Sequence, residues 1–130
     1  MAEQSQKIIL LVEDDQFLSV LLKNRLVQEG FNVLLAVTGD EALKILETNK
    51  PNLILMDIIL PAKSGFETME SIMADPKYGR VPVMIISNLG QDSDIARGKQ
   101  LGAIEYFVKA QISIDEMVIK IKEFLSRLST

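Results

Sequence analysis

The segment KIILLVEDDQFL places three carboxylates, Glu13, Asp14 and Asp15, directly behind an aliphatic run, Ile8 to Val12. Like charges about 4 Å apart repel by roughly 4 kcal/mol even at an effective dielectric near 20, so the cluster calls for a cation, protons or abundant water. Three further polar residues close apolar runs: Asp57 after LILM, Ser87 after VMII and Lys109 after IEYFV. Taken singly, a strand-end acid is more often a helix cap or a solvated charge. As a set, Glu13, Asp14, Asp57, Ser87 and Lys109 suit phosphoryl transfer to a carboxylate. Asp57 is the candidate nucleophile, a role open to a side-chain carboxylate when a phosphoryl donor is held in line. Mg²⁺ prefers a few carboxylates, phosphate oxygens and water to an all-protein cage, which makes Asp14 and Glu13 candidate ligands, direct or through water. Lys109 and the Ser87 hydroxyl supply positive charge and a hydrogen bond to the phosphoryl oxygens.

These residues meet only if the chain between them folds suitably. Five short apolar runs, Ile8 to Val12, Phe31 to Ala36, Leu53 to Met56, Val81 to Ile86 and Ile104 to Val108, alternate with longer amphipathic stretches. That is the pattern of repeated βα units around a parallel sheet, an α/β fold. Ligands of open parallel sheets sit beyond the carboxyl ends of the strands, where the five polar residues fall. Hydroxyl caps with a Glu three residues on open three helices, at Thr38 and Glu41, Ser64 and Glu67, and Ser113 and Glu116. The first helix spans Gln16 to Glu29 with Gly30 as its stop and Asp15 as its cap or first-turn acid, and the second ends before Pro51. In the last helix Ile114, Val118, Ile121, Leu125 and Leu128 recur at helical spacing and form a core stripe. The fourth, QDSDIARGKQLGA, has few large apolar residues and carries Gly98 mid-helix, at a cost of roughly 1 kcal/mol against Ala. It is expected to be the least firmly held, either a solvated surface helix or an element that shifts.

Composition removes several function classes. The chain has 130 residues, 48% of them apolar, which suits one domain spanning 1–130 with no output domain attached. With no cysteine and no histidine, disulfides, thiolate chemistry, the usual zinc sites and His-based acid–base catalysis drop out. A net charge of −4 without a Lys/Arg cluster disfavours direct nucleic-acid binding. No signal-peptide pattern and no apolar run long enough for membrane insertion is visible, which predicts a cytoplasmic protein.

The chain resembles the receiver domain of bacterial two-component response regulators over essentially its whole length. The resemblance rests on LLVEDD, on LILMDIILPAKSG with Asp57, Pro61 and Gly65, on VMIISN with Ser87, and on GAIEYFVKA with Tyr106 and Lys109. It implies a flavodoxin-like five-stranded parallel sheet, order 2-1-3-4-5, flanked by five helices. It also implies that Asp57 accepts phosphate from a sensor histidine kinase or a histidine phosphotransfer protein. Mg²⁺ would be bound by Asp14, Asp57 and the backbone carbonyl of Ile59, with Glu13 acting through water. Phosphorylation would draw Ser87 and Lys109 inward and turn Tyr106 inward, altering the face of helix 4, strand 5 and helix 5, which would meet a downstream protein or a second copy. The plainer reading of Tyr106 is a half-exposed strand aromatic.

Three positions depart from the commoner family pattern. Ser87 stands where Thr is more usual, Asn88 where a small residue is frequent, and Ala110 where Pro follows the lysine, so a cis bond there is not expected. Ile59 and Leu89, each two residues past a site residue, offer no group to orient an attacking water, which predicts slow self-dephosphorylation. The rival readings are a phosphohydrolase, which would commonly place a second Asp where Ile59 stands, a pseudo-receiver that no longer takes phosphate, and a flavin binder. The last would need a phosphate-cradling loop after strand 1, where this chain has acids.

Overall fold

The computed structural model describes residues 6–78 and 80–128. Its strands are β1 (Ile8–Val12), β2 (Asn32–Ala36), β3 (Leu53–Met56), β4 (Val83–Ser87) and β5 (Glu105–Val108), and its helices α1 (Gln16–Gln28), α2 (Gly39–Thr48), α3 (Gly65–Ala74), α4 (Asp92–Gln100) and α5 (Ile114–Ser126). A 3₁₀ turn, Lys109–Gln111, links β5 to α5. All strand pairs are parallel, in the order β2-β1-β3-β4-β5, as the resemblance implies.

Every residue of β3 and β4 is buried, so these strands read as continuous apolar runs rather than as alternating ones. The two-residue period divides them between faces. Leu10, Val12, Ile54, Met56 and Ile85 meet Leu46, Met69 and Ile72 on the side of α2 and α3. Ile9, Leu11, Leu55 and Ile86 meet Leu22, Leu26, Val118 and Ile121 on the side of α1 and α5. The register pairs Val12 with both Ala36 and Met56, Met56 with Ile85, and Ser87 with Val108. The carboxyl ends of the strands therefore finish along one edge.

Residue chemistry explains most of the boundaries. Asp15 caps α1, its Oδ1 accepting the Leu18 N–H at 3.2 Å. Ser64 and Ser113 form reciprocal capping boxes with Glu67 and Glu116. At α2 the box is shifted: Thr38 Oγ1 accepts from Glu41 N, but the Glu41 carboxylate accepts from Val37 N at 2.7 Å rather than from the cap residue. β4 starts two residues later than expected, because the Val81 N–H turns back to the Tyr78 carbonyl and Pro82 has no N–H to give. It also runs one residue further and takes in Ser87. β2 begins at Asn32, since the Phe31 N–H still bonds Leu26 O beyond the positive-φ Gly30.

Two expectations are corrected. Leu128 is not core: α5 ends at Ser126, and Leu128 lies past it, exposed. α1 is not amphipathic. It buries Ser19, Leu22 and Leu26 while Phe17, Val20 and Leu21 lie on its outer side, Phe17 at 80% exposure.

α3 starts hard against the back of β3. The Gly65 N–H donates to Ile58 O at 2.8 Å, and a Cβ there would lie 2.2 Å from the Asp57 carbonyl oxygen. Forcing a side chain into a packed site costs about 1–3 kcal/mol. Gly65→Ala is therefore expected to lower stability by about 2 kcal/mol, read as a reduced denaturant midpoint with an unchanged slope.

Candidate functional site

The ladder continues one residue beyond two of the strands. Glu13 N donates to Ala36 O and Asp57 N to Val12 O, both at 2.9 Å, so rigid backbone fixes where these carboxylates stand. Ligand oxygens of Glu13, Asp14 and Asp57 all lie within 4.8 Å of one another. Glu13 is fully buried and Asp57 nearly so, whereas Asp14 is exposed and forms the solvent side of the cluster.

Lys109, the first residue after β5, reaches across to this cluster. Its Nζ lies 3.0 Å from Asp57 Oδ2, to which it donates, and 3.0 Å from Glu13 Oε1. Among the described residues Glu13 Oε1 has no further partner, while Oε2 accepts the Asp15 N–H at 3.1 Å. Asp57 Oδ1 accepts the Ile59 N–H at 3.2 Å. Burial and then the adjacent Asp57 charge push the Glu13 pKa up to about 7, against the pull of Lys109. For Lys109, burial works against the charge, but the hydrogen bonds and charges of Glu13 and Asp57 outweigh it and hold its pKa above the ordinary lysine value.

The loop leaving Asp57 is tightly turned. Lys63 N donates to Pro61 O at 2.7 Å, closing a γ-turn on Ala62, whose φ of 64° is unusual for a residue with a side chain. Lys63 then meets Asp40 at 3.2 Å. Ile59 sits in this loop with its side chain exposed and its N–H committed to Asp57.

Ser87 and Tyr106 form a second layer beside the carboxylates. The buried Ser87 hydroxyl accepts the Leu89 N–H at 3.2 Å, and the Tyr106 hydroxyl donates to the Leu89 carbonyl at 2.6 Å. Both therefore hold the same residue of the β4–α4 loop. Tyr106 is buried rather than half-exposed, and burial, then the charge of Asp94, raises its pKa. The part played by Leu89 was not visible in sequence, because its backbone carbonyl, not its side chain, makes the contact. Ala110 follows Lys109 in the 3₁₀ turn, and no peptide among the described residues is cis.

Three clustered carboxylates form a hard, all-oxygen donor set, with a buried Glu13 oxygen whose only partner is Lys109. That chemistry fits Mg²⁺. Over residues 9–122 the chain matches the family model described as response regulator receiver domain. The chain belongs to this family. Its receiver domain is 37% identical, over 92% of the chain and 52% of the relative, to the phosphate regulon transcriptional regulatory protein PhoB of Rhizobium meliloti. Among solved structures, the phosphorylated cyanobacterial phytochrome response regulator RcpA has a TM-score of 0.86 at 29% identity, covering 97% of this chain and 98% of that one. The Mn²⁺-bound form of response regulator Rcp1 has a TM-score of 0.84 at 29% identity, covering 95% and 97%. The chain spans about half the length of the curated relatives it matches.

The buried glutamate gives the receiver domain a particular pH dependence. Between pH 4.5 and about 7 the folded chain keeps a proton at Glu13 that the unfolded chain has released, so this residue's contribution to stability falls as pH rises through that window. The thermal midpoint of wild type is expected to fall more than that of Glu13→Gln from about pH 5 to about pH 8, and Mg²⁺, which competes with the proton, to restore more of it at the higher pH. Parallel melting curves of the two proteins with and without Mg²⁺ check both statements.

Proposed function

We propose that this chain is a phosphorylation-switched signalling domain of a two-component system, in which Asp57 accepts the phosphoryl group. The observation that carries this is the convergence of three carboxylates on one lysine at the carboxyl edge of the sheet. Of the three acids, Glu13 is fully enclosed and Asp14 is exposed at the rim, whereas Asp57 stands between β1 and β4 with its carboxylate already oriented by Lys109 and Ile59 N–H. An Asp57 oxygen attacks the phosphorus, the bond from phosphorus to the donor's imidazole nitrogen breaks, and the electron pair leaves on that nitrogen. Lys109 and the Ser87 hydroxyl then serve the phosphoryl oxygens, which carry about −1.5 to −2 charge. Mg²⁺, held by Asp14, Asp57 and the Ile59 carbonyl with Glu13 acting through water, supplies charge neutralisation when bound. RcpA in phosphorylated form and Rcp1 with Mn²⁺ are the structural neighbours that support this assignment.

The donor is a sensor histidine kinase or a histidine phosphotransfer protein. A docking place for it is the outer side of α1, where Phe17, Val20 and Leu21 sit one turn apart, starting three residues past Asp14. The output surface is the face of α4, β5 and α5, presented to a downstream protein or to a second copy. Gene control is named for the relatives, which are about twice as long; the net charge of −4 disfavours direct nucleic-acid binding by this chain. No described helix is long and apolar enough to cross a membrane, in keeping with work in the cytoplasm.

Incubation with a small phosphodonor and Mg²⁺, followed by intact-mass measurement, is expected to show one added phosphate in wild type and none in Asp57→Asn. Asp14→Ala should abolish the Mg²⁺-dependent addition. Asp15→Ala should spare it while losing about 1 kcal/mol of stability with the α1 cap. Absence of phosphate at any Mg²⁺ concentration would move the assignment to an interaction module that works without phosphorylation.

Two residues past Asp57 and Ser87 stand aliphatic side chains, Ile59 exposed and Leu89 half-buried against the core. Neither orients water. Slow loss of phosphate is expected from the wild type and faster loss from Ile59→Asn or Leu89→Glu, measured as decay of the phosphorylated mass after removal of the donor.

A further inference from the structure

α4 contains a single buried residue, and it is a glycine. Gly98 faces the sheet so closely that a Cβ there would lie 2.6 Å from Ile85 Cδ1, 2.9 Å from Tyr106 Cδ2 and 3.1 Å from Tyr106 Cε2. The Tyr106 ring thus lies flush against bare helix backbone, in a space that any side chain at position 98 would fill. Mid-helix glycine is unfavourable relative to alanine, so local preference does not explain its presence. The close approach does.

We propose that Gly98 is a positioning residue of the switch: the bare backbone of α4 is the seat that lets Tyr106 lie inward and bond Leu89. Three observations fix the direction of the effect. α4 is anchored on both sides of the seat, because Arg97 stacks its guanidinium over Phe66 of α3 at 4.4 Å, and Ile95 and Leu101 pack on the core. Ile85 belongs to the buried β4 and pairs with Met56 of the adjacent strand, so the sheet does not retreat. Tyr106 stands on β5, the edge strand, where solvent is available to it. A side chain at 98 displaces two groups: the terminal methyl of Ile85, which a change of rotamer relieves, and the Tyr106 ring, which outward rotation relieves; that rotation breaks the 2.6 Å bond to Leu89 O and releases one of the two holds on that loop. With the seat intact, an inward tyrosine shapes the face of α4, β5 and α5, and phosphate at Asp57 acts on that face through the Leu89 loop that the tyrosine holds. This signalling consequence rests on the function proposed above; the seat itself does not.

The chain has two tyrosines and no tryptophan, so fluorotyrosine labelling gives one reporter at Tyr106 and an internal reference at Tyr78, which lies between α3 and β4 with Lys77 over its ring at 5.4 Å. The test compares wild type with Gly98→Ala by fluorine NMR, using a soluble gadolinium chelate to read exposure. The expected result is a Tyr106 resonance that shifts and broadens strongly with the chelate in Gly98→Ala, a Tyr78 resonance that does not move, and a lowered thermal midpoint. An unmoved Tyr106 resonance with a raised midpoint, the ordinary outcome of Gly→Ala in an unobstructed helix, would overturn the seat. Should Gly98→Ala fail to fold, the Tyr106→Ala background decides: recovery of a folded Gly98→Ala/Tyr106→Ala protein supports the seat, and continued failure overturns it. Intact-mass phosphorylation of the same samples keeps the two ideas apart. No phosphate on wild-type Asp57 defeats the functional reading, whereas only the Tyr106 resonance decides the seat.

Discussion

The contact on which the site depends is the Lys109 ammonium between Glu13 and Asp57, 3.0 Å from each. Without it, two carboxylates would face each other at the end of a buried sheet with no counter-charge. Breaking a buried pair by removing one partner leaves an uncompensated charge and is strongly destabilising, typically by about 3–5 kcal/mol. The lysine comes from β5 while the acids follow β1 and β3, so the contact closes only if β3, β4 and β5 pair in the observed register. Fold and site are in this sense one constraint. The sheet's apolar interior supplies the rigidity, and the ion pair sets the alignment of the carboxyl edge.

Around this rigid centre lies a softer layer. The β4–α4 loop is held at Leu89 by Ser87 through its N–H and by Tyr106 through its carbonyl. α4 beyond it buries one residue, a glycine, but is held at its flanks by Arg97 on Phe66 and by Ile95 and Leu101 on the core, so the softness is that of the loop. On the function proposed above, a phosphoryl group at Asp57 that pulls the Ser87 hydroxyl toward it would disturb one of these holds, and Leu89 and Tyr106 would respond together. Local stability is lowest where such motion is needed, and the core strands need not take part.

Much of this was legible in residue types. Buried parallel strands announce themselves as short aliphatic runs, and Asp15, Ser64 and Ser113 cap helices because their side chains accept backbone N–H groups that nothing else satisfies. The five site residues were visible because each ends or directly follows an apolar run. What sequence did not disclose depends on distances between elements. The outward apolar side of α1 is hidden in an almost continuous apolar segment, FLSVLL, whose period cannot say which residues face the core. The inward position of Tyr106 depends on a missing side chain in another element, and Gly98 on its own reads as helix weakness. Leu128 continues the helical spacing of α5 past the point where the helix ends.

The opening cluster of three acids resolves into three different physical situations. Asp15 faces the α1 N-terminus, where the helix dipole and a backbone N–H favour its charge. Asp14 is in water, which screens it. Glu13 alone lies inside, and its burial makes its ionised form costly unless a cation is near. Proton, lysine and divalent metal are the three available cations, and they are not equivalent. The proton is released as pH rises, and the single lysine charge is divided between Glu13 and Asp57. On the function proposed above, a phosphoryl group on Asp57 would draw Lys109 toward the new oxygens and away from Glu13. On that function a divalent ion held by these acids would supply charge to both Glu13 and the phosphoryl oxygens, so the burial that makes an ionised Glu13 costly would favour Mg²⁺ beside the phosphoryl group.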